Sequence, residues 1–432
     1  MSPTESASSD SHESVPRIDE MMGCAGGNRV IDTPNGRMHV LDRVESVRAC
    51  LHDPGMERLD FENPLFGRGL AFTDGAEWLG QRRIIQPVFH ERCNPEYIDS
   101  IRSTAGAGLA RMQRFADDEV EFDGVEELTR IAIRGLYEFA FGLELPDDHD
   151  RSSLVFDVLH QIGLVTHAHR RRGGEGGEVA LASLKAAIRR LRMEADRIID
   201  ARLEDPTGHR DLLSQFMDSL SEGGRGDGER VNLQDQILSF FFASSDTVAN
   251  SLSWLLMLLV AHPEECDLVT EELDGIPFDQ TPDLEQLARM PRLEAAIREA
   301  QRLFPPVWNI PRMATRDAVL GNHEVRRGEI VQVNTYLLHR NPEYWTEPDR
   351  FKPQRFIDAP DGTVPYSFLP FGGGRHLCVG KPLAHVELRC IAAALLKGVA
   401  FSRHQPVHFK AFPGLGLSPI RPVRMSASRR RP

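Results

Sequence analysis

The sequence predicts a mainly α-helical protein with a small β-rich part towards its C-terminal end. Three observations carry that reading. Apolar residues recur at three- and four-residue spacing along much of the chain, as on amphipathic helices. A central segment, Asn232 to His262, is apolar nearly all round. From about residue 305, Pro, Gly and short β-like runs replace the helical texture.

The elements follow in order. Residues 1 to about 15 (MSPTESASSDSHES and the next residue) are polar and acidic and are expected to form a disordered tail, leaving 16–432 as one domain. That start has neither the basic nor the apolar region of a signal peptide. Helices are expected over about 98–117 and 125–143, where Leu128, Ile131, Ile133, Leu136 and Phe139 line one face, and over 151–167. HAHRRRGGEGGE at 167–178 breaks the pattern and reads as a loop, with its glycines at 172–177 suited to a lid. A helix then runs to about residue 204, and SEGGRGDGER at 221–230 is a second loop. The apolar 232–262 segment carries Ser244, Ser245, Asp246, Thr247 and Asn250, which a membrane span rarely tolerates, so it is read as a buried core helix. GEIVQVNTYLL at 328–338 is β-like, 341–371 is irregular and Pro-rich, and a final helix covers 379–397. The terminal SRRRP is a solvated end.

Composition narrows the function. With 51 Lys and Arg against 64 Asp and Glu, the net charge of −13 argues against wrapping nucleic acid. The six cysteines lie far apart with no Cys-x-x-Cys, which argues against a disulfide scaffold or zinc ribbon and fits a reducing cytosol. No run reaches the roughly 18 apolar residues of a membrane span. A cytoplasmic location with no membrane association is expected.

The chemistry centres on Cys378, in PFGGGRHLCVG at 370–380. A lone Cys is commonly an inert core residue. Here three glycines permit backbone paths closed to other residues, and a helix starts directly after the Cys. A thiolate there would be stabilised by backbone N–H groups and the helix N-terminus, the environment a metal-ligating thiolate needs.

Phe371-Gly-Gly-Gly-Arg-His376-Leu-Cys378-Val-Gly380 resembles the heme-binding loop of the cytochrome P450 heme-thiolate monooxygenases. The resemblance extends over about residues 40–425. It implies the cytochrome P450 fold, with heme b buried between the long central helix and the Cys-loop and final helix. Cys378 would be the axial ligand of the iron, with Phe371 and Gly380 beside it and His376 pairing with a heme propionate. Three further motifs agree in order. Glu299-Ala-Gln-Arg302, alone no more than an ion pair at helical spacing, resembles the family's Glu-x-x-Arg helix, whose partner would be Arg355 in a structural charge network. Trp78 and Arg82, four apart, offer an indole N–H and a guanidinium, both donors suited to a propionate, although a core Trp beside a surface Arg has the same spacing. Arg312 matches another propionate-pairing Arg. Ala243-Ser244-Ser245-Asp246-Thr247 resembles the oxygen-activating segment, in which Thr247 would hold dioxygen and a water while Asp246 relays protons. Ser244 departs from the usual Gly.

The resemblance further implies a cavity lined by the stretch around Leu65, Phe66 and Leu70, the 160–180 region, Phe242, Ala243 and Ser244, the turn Val307-Trp308-Asn309-Ile310, and Leu415 and Leu417. These are mostly apolar, pointing to a hydrophobic small-molecule substrate. The expected function is insertion of one oxygen atom from O2, by hydroxylation or epoxidation, in natural-product (terpenoid or polyketide) biosynthesis. Electrons from NAD(P)H would arrive through a separate ferredoxin and ferredoxin reductase, since no reductase domain follows, and the enzyme is expected to be a monomer. Two alternatives stay open: a non-insertion outcome such as oxidative coupling, desaturation or nitration, with Ser244 as the motive, and a heme protein that binds a ligand without turnover.

Overall fold

Apolar helix faces and polar caps divide the chain into fourteen described helices: α1 (Val44–His52), α2 (Gly75–His90), α3 (Pro95–Asp117), α4 (Gly124–Phe141), α5 (Glu175–Glu204), α6 (Leu212–Ser221), α7 (Asp227–Phe240), α8 (Asp246–Ala261), α9 (Pro263–Asp274), α10 (Leu284–Ala288), α11 (Pro291–Leu303), α12 (Thr335–Leu338), α13 (Gln354–Asp358) and α14 (Lys381–Gly398). The strands are β1 (Arg29–Thr33), β2 (Gly36–Leu41), β3 (Met56–Glu57), β4 (Phe122–Asp123), β5 (Ile310–Ala314), β6 (Ala318–Leu320), β7 (His323–Val325), β8 (Ile330–Val333), β9 (Val399–Ser402), β10 (Ala411–Pro413), β11 (Leu417–Pro419) and β12 (Arg424–Arg429). The structure, a computed structural model, describes residues 26–33, 36–59, 67–90, 95–145, 158, 175–205, 211–221, 227–360, 364–403 and 409–430. The expected tail at 1–15, Leu65 and Phe66, and the 151–167 helix apart from Val158 lie outside these residues. No described helix is long and apolar enough to cross a membrane.

The largest sheet has the order β1-β2-β8-β5-β3, with β2 and β8 parallel and the other pairs antiparallel. Smaller sheets are β4-β12-β9, the hairpin β10-β11 and the pair β6-β7. One core joins α3, α4, α8, α11 and α14, with Trp254 of α8 stacked on Phe304 at 3.8 Å between ring centroids. A second core gathers α2, α4, α5, α6 and α7 around Phe241 and Phe242. Helix α4 serves both, which is why nearly all its residues are buried. Asp123 caps its start by accepting from the Val125 N–H, and Gly142, at φ 58°, ends it in the left-handed region.

The expected helices at 98–117, 125–143 and 379–397 form within a few residues of those limits. The central helix is continuous from Asp227 to Ala261 but passes through a π-helical turn at Phe241–Ser245. Three expectations are corrected. Helix α5 starts at Glu175, inside the expected loop and lid at 167–178, and α7 starts at Asp227, inside the expected loop at 221–230. The β-like run at 328–338 is strand only over Ile330–Val333. Asn334 then accepts from the Leu337 N–H at 3.0 Å and caps the short helix α12, a local capping bond that outweighs the β propensity of the run.

Behind the C-terminal helix lies a buried charge network. Glu299 and Arg302 are both fully buried, and Arg302 donates to Glu299 through two bonds of 2.8 Å. Arg355 adds a third bond to Glu299 at 3.1 Å, and the Lys352 N–H a fourth at 2.9 Å. Arg302 also donates to the carbonyls of His339, Pro348 and Arg350 at 2.8, 2.7 and 3.1 Å. One guanidinium thereby ties α11 to the irregular 339–352 stretch. Arg302→Leu would leave Glu299 buried with half its charge partners and three carbonyls without a donor. We expect it to cost about 3–5 kcal/mol, read as the shift of the urea unfolding midpoint.

Candidate active site

The loop before α14 turns on two glycines in the left-handed region, Gly372 at φ 70° and Gly374 at φ 65°. A Cβ on Gly374 would come within 2.0 Å of the Leu51 carbonyl oxygen, so the loop lies flush against α1 only because that residue is Gly. The Cys378 N–H donates to the Phe371 carbonyl at 3.1 Å and closes the loop. Cys378 is the exposed thiol of the four described free cysteines; Cys50 and Cys390 are buried. Its surroundings are nonetheless dense, and burial raises its thiol pKa, opposed by the Gly380 and Lys381 N–H groups and by the Arg82 charge. Phe371 packs its ring against His385 of α14, 4.9 Å between centroids. A Cβ on Gly380 would meet Sγ of Cys378 only at ordinary contact distance, 3.9 Å.

Beside the loop, one carboxylate gathers most of the nearby cations. Asp74, immediately before α2, accepts from the Gly75 N–H at 2.7 Å and the Arg58 N–H at 2.6 Å. His376 Nε2 lies 3.1 Å from it and Arg375 3.4 Å. Burial alone would raise the Asp74 pKa, but the bonds from His376, Arg58 and Gly75 outweigh it and hold the carboxyl well below the usual range. Burial first, then the nearby Arg312 charge, bring Arg58 down to about 10, and burial lowers Arg312. Arg312 is 5% exposed and donates to its own neighbour, the Pro311 carbonyl, at 2.8 Å. Arg82 reaches the Leu377 carbonyl at 2.9 Å, next to Cys378. Trp78 packs edge-on against His376, 4.4 Å between centroids, and its buried Nε1–H has no acceptor among the described residues.

The sequence reading brought Trp78, Arg82, Arg312 and His376 here; it missed Arg58, Asp74 and Arg375. An Asp directly before a helix is a capping signal that could have singled out Asp74. Nothing local marks Arg58, whose guanidinium donates to the Leu70 and Thr73 carbonyls at 2.7 and 3.2 Å. Those bonds fold the 67–74 stretch back on itself. Helix α7 holds its other edge: Asp235 accepts from the Arg68 N–H, Gln236 from Leu70 and Ser239 from Ala71, at 2.8, 3.0 and 2.7 Å.

On the central helix, hydroxyl groups turn back on the preceding turn. Ser244 donates to the Phe240 carbonyl and Thr247 to the Ala243 carbonyl, both at 2.8 Å. Such back-bonds compete with the helical ladder, and here they flank the π turn that widens it. Ala243 is exposed on this widened turn. The Ser244 hydroxyl thus spends its donor on the helix and keeps its acceptor lone pairs. Asp246 turns towards the β10–β11 hairpin, where Asn250 donates to it at 2.9 Å and the Gly416 N–H also bonds it. A Cβ on Gly416 would lie 2.0 Å from its Oδ2, so the hairpin backbone sits directly on the carboxylate. Burial pushes the Asp246 carboxyl up to about 6, against the pull of those two donors. Asn250, one turn along the same helix, was noted in the sequence only as a polar residue of the core segment, and Gly416 was not singled out, because only the fold brings the hairpin to the helix.

A family model described as Cytochrome P450 matches residues 34–420. The chain belongs to the cytochrome P450 family. It is therefore a cytochrome P450 monooxygenase whose cofactor is a thiolate-ligated heme iron. It is 34% identical to a Mycobacterium bovis protein named cytochrome P450 132, over 84% of this chain and 81% of that one. It is 30% identical to cyclooctat-9-en-7-ol 5-monooxygenase of Streptomyces melanosporofaciens, over 83% of this chain and 79% of that one. The crystal structure of the cytochrome P450DA heme domain superimposes with a TM-score of 0.82 at 23% identity, covering 94% of this chain and 90% of that one, and confirms the fold.

The residues of this P450 fit the group. A heme carries two carboxylates, and the cluster at Asp74 supplies more guanidinium charge than one Asp neutralises, plus an orphaned indole N–H. Of the expected lining residues, Ala243, Val307 and Leu415 are exposed, Ile310 is partly covered, and Leu70 and Phe242 are buried beside the second core. Trp308 and Leu417 are buried in the first core with Trp254, which donates to the Leu417 carbonyl at 2.8 Å.

Trp78→Phe tests the indole. It deletes an N–H that has no protein acceptor, so apoprotein stability should change by less than about 1 kcal/mol, while heme transfer to apomyoglobin should speed several-fold; unchanged transfer would remove Trp78 from the cofactor site. Asp246 predicts a pH effect. Its folded pKa of about 6 exceeds the ordinary 3.8, so its contribution is complete below pH 3.8 and is lost as pH rises through about 6. The loss is at most about 3 kcal/mol, and Asp246→Asn should flatten that limb of the urea-stability curve.

Proposed function

We propose that this P450 inserts one oxygen atom of O2 into an apolar small molecule of the terpenoid class, with polyketides the next class to test. The observation that carries the proposal is the presence in one chain of a glycine-built Cys378 loop and of an Asp246-Thr247 pair beside a π-widened helical turn. When bound, a thiolate-ligated heme supplies the reductive activation of dioxygen. Cys378 would ligate the iron, and Gly380, Lys381 and Arg82 would favour its anionic form. Trp78, Arg82, Arg312 and His376 would hold the propionates, joined by Arg58.

Thr247 can donate or accept at the widened turn once its hydroxyl leaves the Ala243 carbonyl. Burial raises the Asp246 carboxyl to about 6, close enough to neutrality for it to take up and release a proton, as a relay requires. To deliver it, the carboxyl must swing away from Asn250 and Gly416. Substrate would lie against Ala243, Val307 and Leu415, the exposed apolar residues among those predicted to line the cavity. The Streptomyces relative, by its name, acts on cyclooctat-9-en-7-ol, a hydrocarbon-rich alkenol, which supports an apolar substrate class here. Electrons are proposed to come from NAD(P)H through a ferredoxin and its reductase.

A ferric spin-state titration against terpenoids, macrolides, fatty acids and aromatic amino acids tests the substrate class. A Soret shift towards high spin with terpenoids alone is expected; a shift confined to another class overturns that assignment. With a ligand in hand, turnover under isotopically labelled dioxygen should place label in the product. Thr247→Ala should leave NAD(P)H consumption running while product per electron pair falls about tenfold or more.

A further inference from the structure

We infer that the cleft between α3 and α4 is a binding site for a phosphate group, separate from the heme site. A cavity of about 130 Å³ opens there, walled by Ala107, Gly108 and Ala110 of α3 and floored by Ile131 and Leu145. The two helices touch closely at one point: a Cβ on Gly108 would come within 2.8 Å of Ile131 Cδ1. The small residues of α3 leave the adjoining space open.

Four guanidinium groups line it: Arg111 and Arg114 from α3, Arg130 and Arg134 from α4. Two are neutralised within the protein. Arg111 forms a bidentate pair with Glu127, and Arg134 lies 2.7 Å from Glu138. The other two are not. Arg130 is 8% exposed, its Nε is buried with no hydrogen-bond partner, and its nearest carboxylate is Glu127 at 3.9 Å, already taken by Arg111. Arg114, exposed at the mouth, has no acceptor among the described residues. Glu144 approaches Arg134 at 3.7 Å but is 87% exposed and compensates little.

A buried guanidinium Nε–H without an acceptor is costly to fold around, and a ligand in the adjoining cavity would satisfy it. Two uncompensated cations on one cavity match a dianion, and the planar forks of Arg suit phosphate oxygens. The volume accommodates a phosphate group but not a nucleoside. A phosphomonoester would have to project its remainder past Arg114. The ligand is therefore inorganic phosphate or the terminal phosphate of a small ester. None of the lining residues belongs to the heme or oxygen-activation sets, so the site can be perturbed with the cofactor left in place.

Isothermal titration of the heme-loaded enzyme with inorganic phosphate, at mildly alkaline pH and constant ionic strength, tests the proposal. Saturable binding at millimolar phosphate or below is expected. Arg130→Gln should weaken it by at least about tenfold, and Arg114→Gln several-fold, with the CO-difference spectrum unchanged in both. Should Arg130→Gln fail to fold, Arg114→Gln decides, because its side chain is exposed. AMP binding more tightly than phosphate would identify a phosphomonoester as the ligand; equal or weaker binding would identify free phosphate. No saturable heat, or wild-type affinity in the variants, overturns the proposal.

Discussion

Arg302 is a fully buried cation, and the position of the active-site thiol hangs from it. Its charge is met by Glu299, and its remaining donors grip the carbonyls of His339, Pro348 and Arg350. The His339 ring, also buried, then accepts the Leu369 N–H at 2.8 Å. Burial first, and then the neighbouring Arg302 and Arg340 charges, push that imidazole down to about 3, so it stays neutral and able to accept. Leu369 lies two residues before Phe371, whose carbonyl receives the Cys378 N–H. A short run of hydrogen bonds thus links α11 to the Cys-loop. Arg302, Glu299, His339 and Leu369 are all buried, so loosening one leaves others unsatisfied, which makes that part of the linkage stiff.

That stiffness matters because the cluster beside the loop is under electrostatic tension. Arg58 lies near the Arg312, Arg82 and Arg375 charges, and burial alone disfavours the charge of Arg58, Arg312 and Arg82. Asp74 relieves part of this by accepting from two backbone N–H groups and His376, joining α2, the 58–74 stretch and the Cys-loop at one atom group. A carboxylate-bearing cofactor suits such a place for the same reason: it supplies negative charge where the protein supplies too little.

The central helix answers a different constraint. Its flanks are packed into two cores, so it cannot move as a body. Local adjustment is left to the π turn, where hydroxyls already bond back to carbonyls. Asp246 sits at the end of that turn and is shared with the β10–β11 hairpin. A rotation of its carboxyl would therefore be felt at Leu415, which is carried by the same hairpin connection. In the proposed function, proton delivery and the substrate wall would be coupled through one side chain.

Much of this was legible in the sequence for a physical reason. Residues that act through spacing on one element, such as Glu299 with Arg302, Trp78 with Arg82, Asp246 with Thr247, and the Phe371–Gly380 loop, declare themselves, because helical periodicity and glycine backbone freedom are local properties. The helical class followed from apolar periodicity for the same reason. What only the tertiary structure decided are meetings between elements distant in the chain. These are Asp74 with His376, Asp246 with Gly416, and α7 with the 67–74 stretch, together with the burial of Trp308 and Leu417 in the core. Lining and core residues have the same apolar side chains, and only packing separates them. Likewise, Arg130 reads as one more charged helix residue; the space left by Ala107 and Gly108 on another helix is what makes it an unpaired cation.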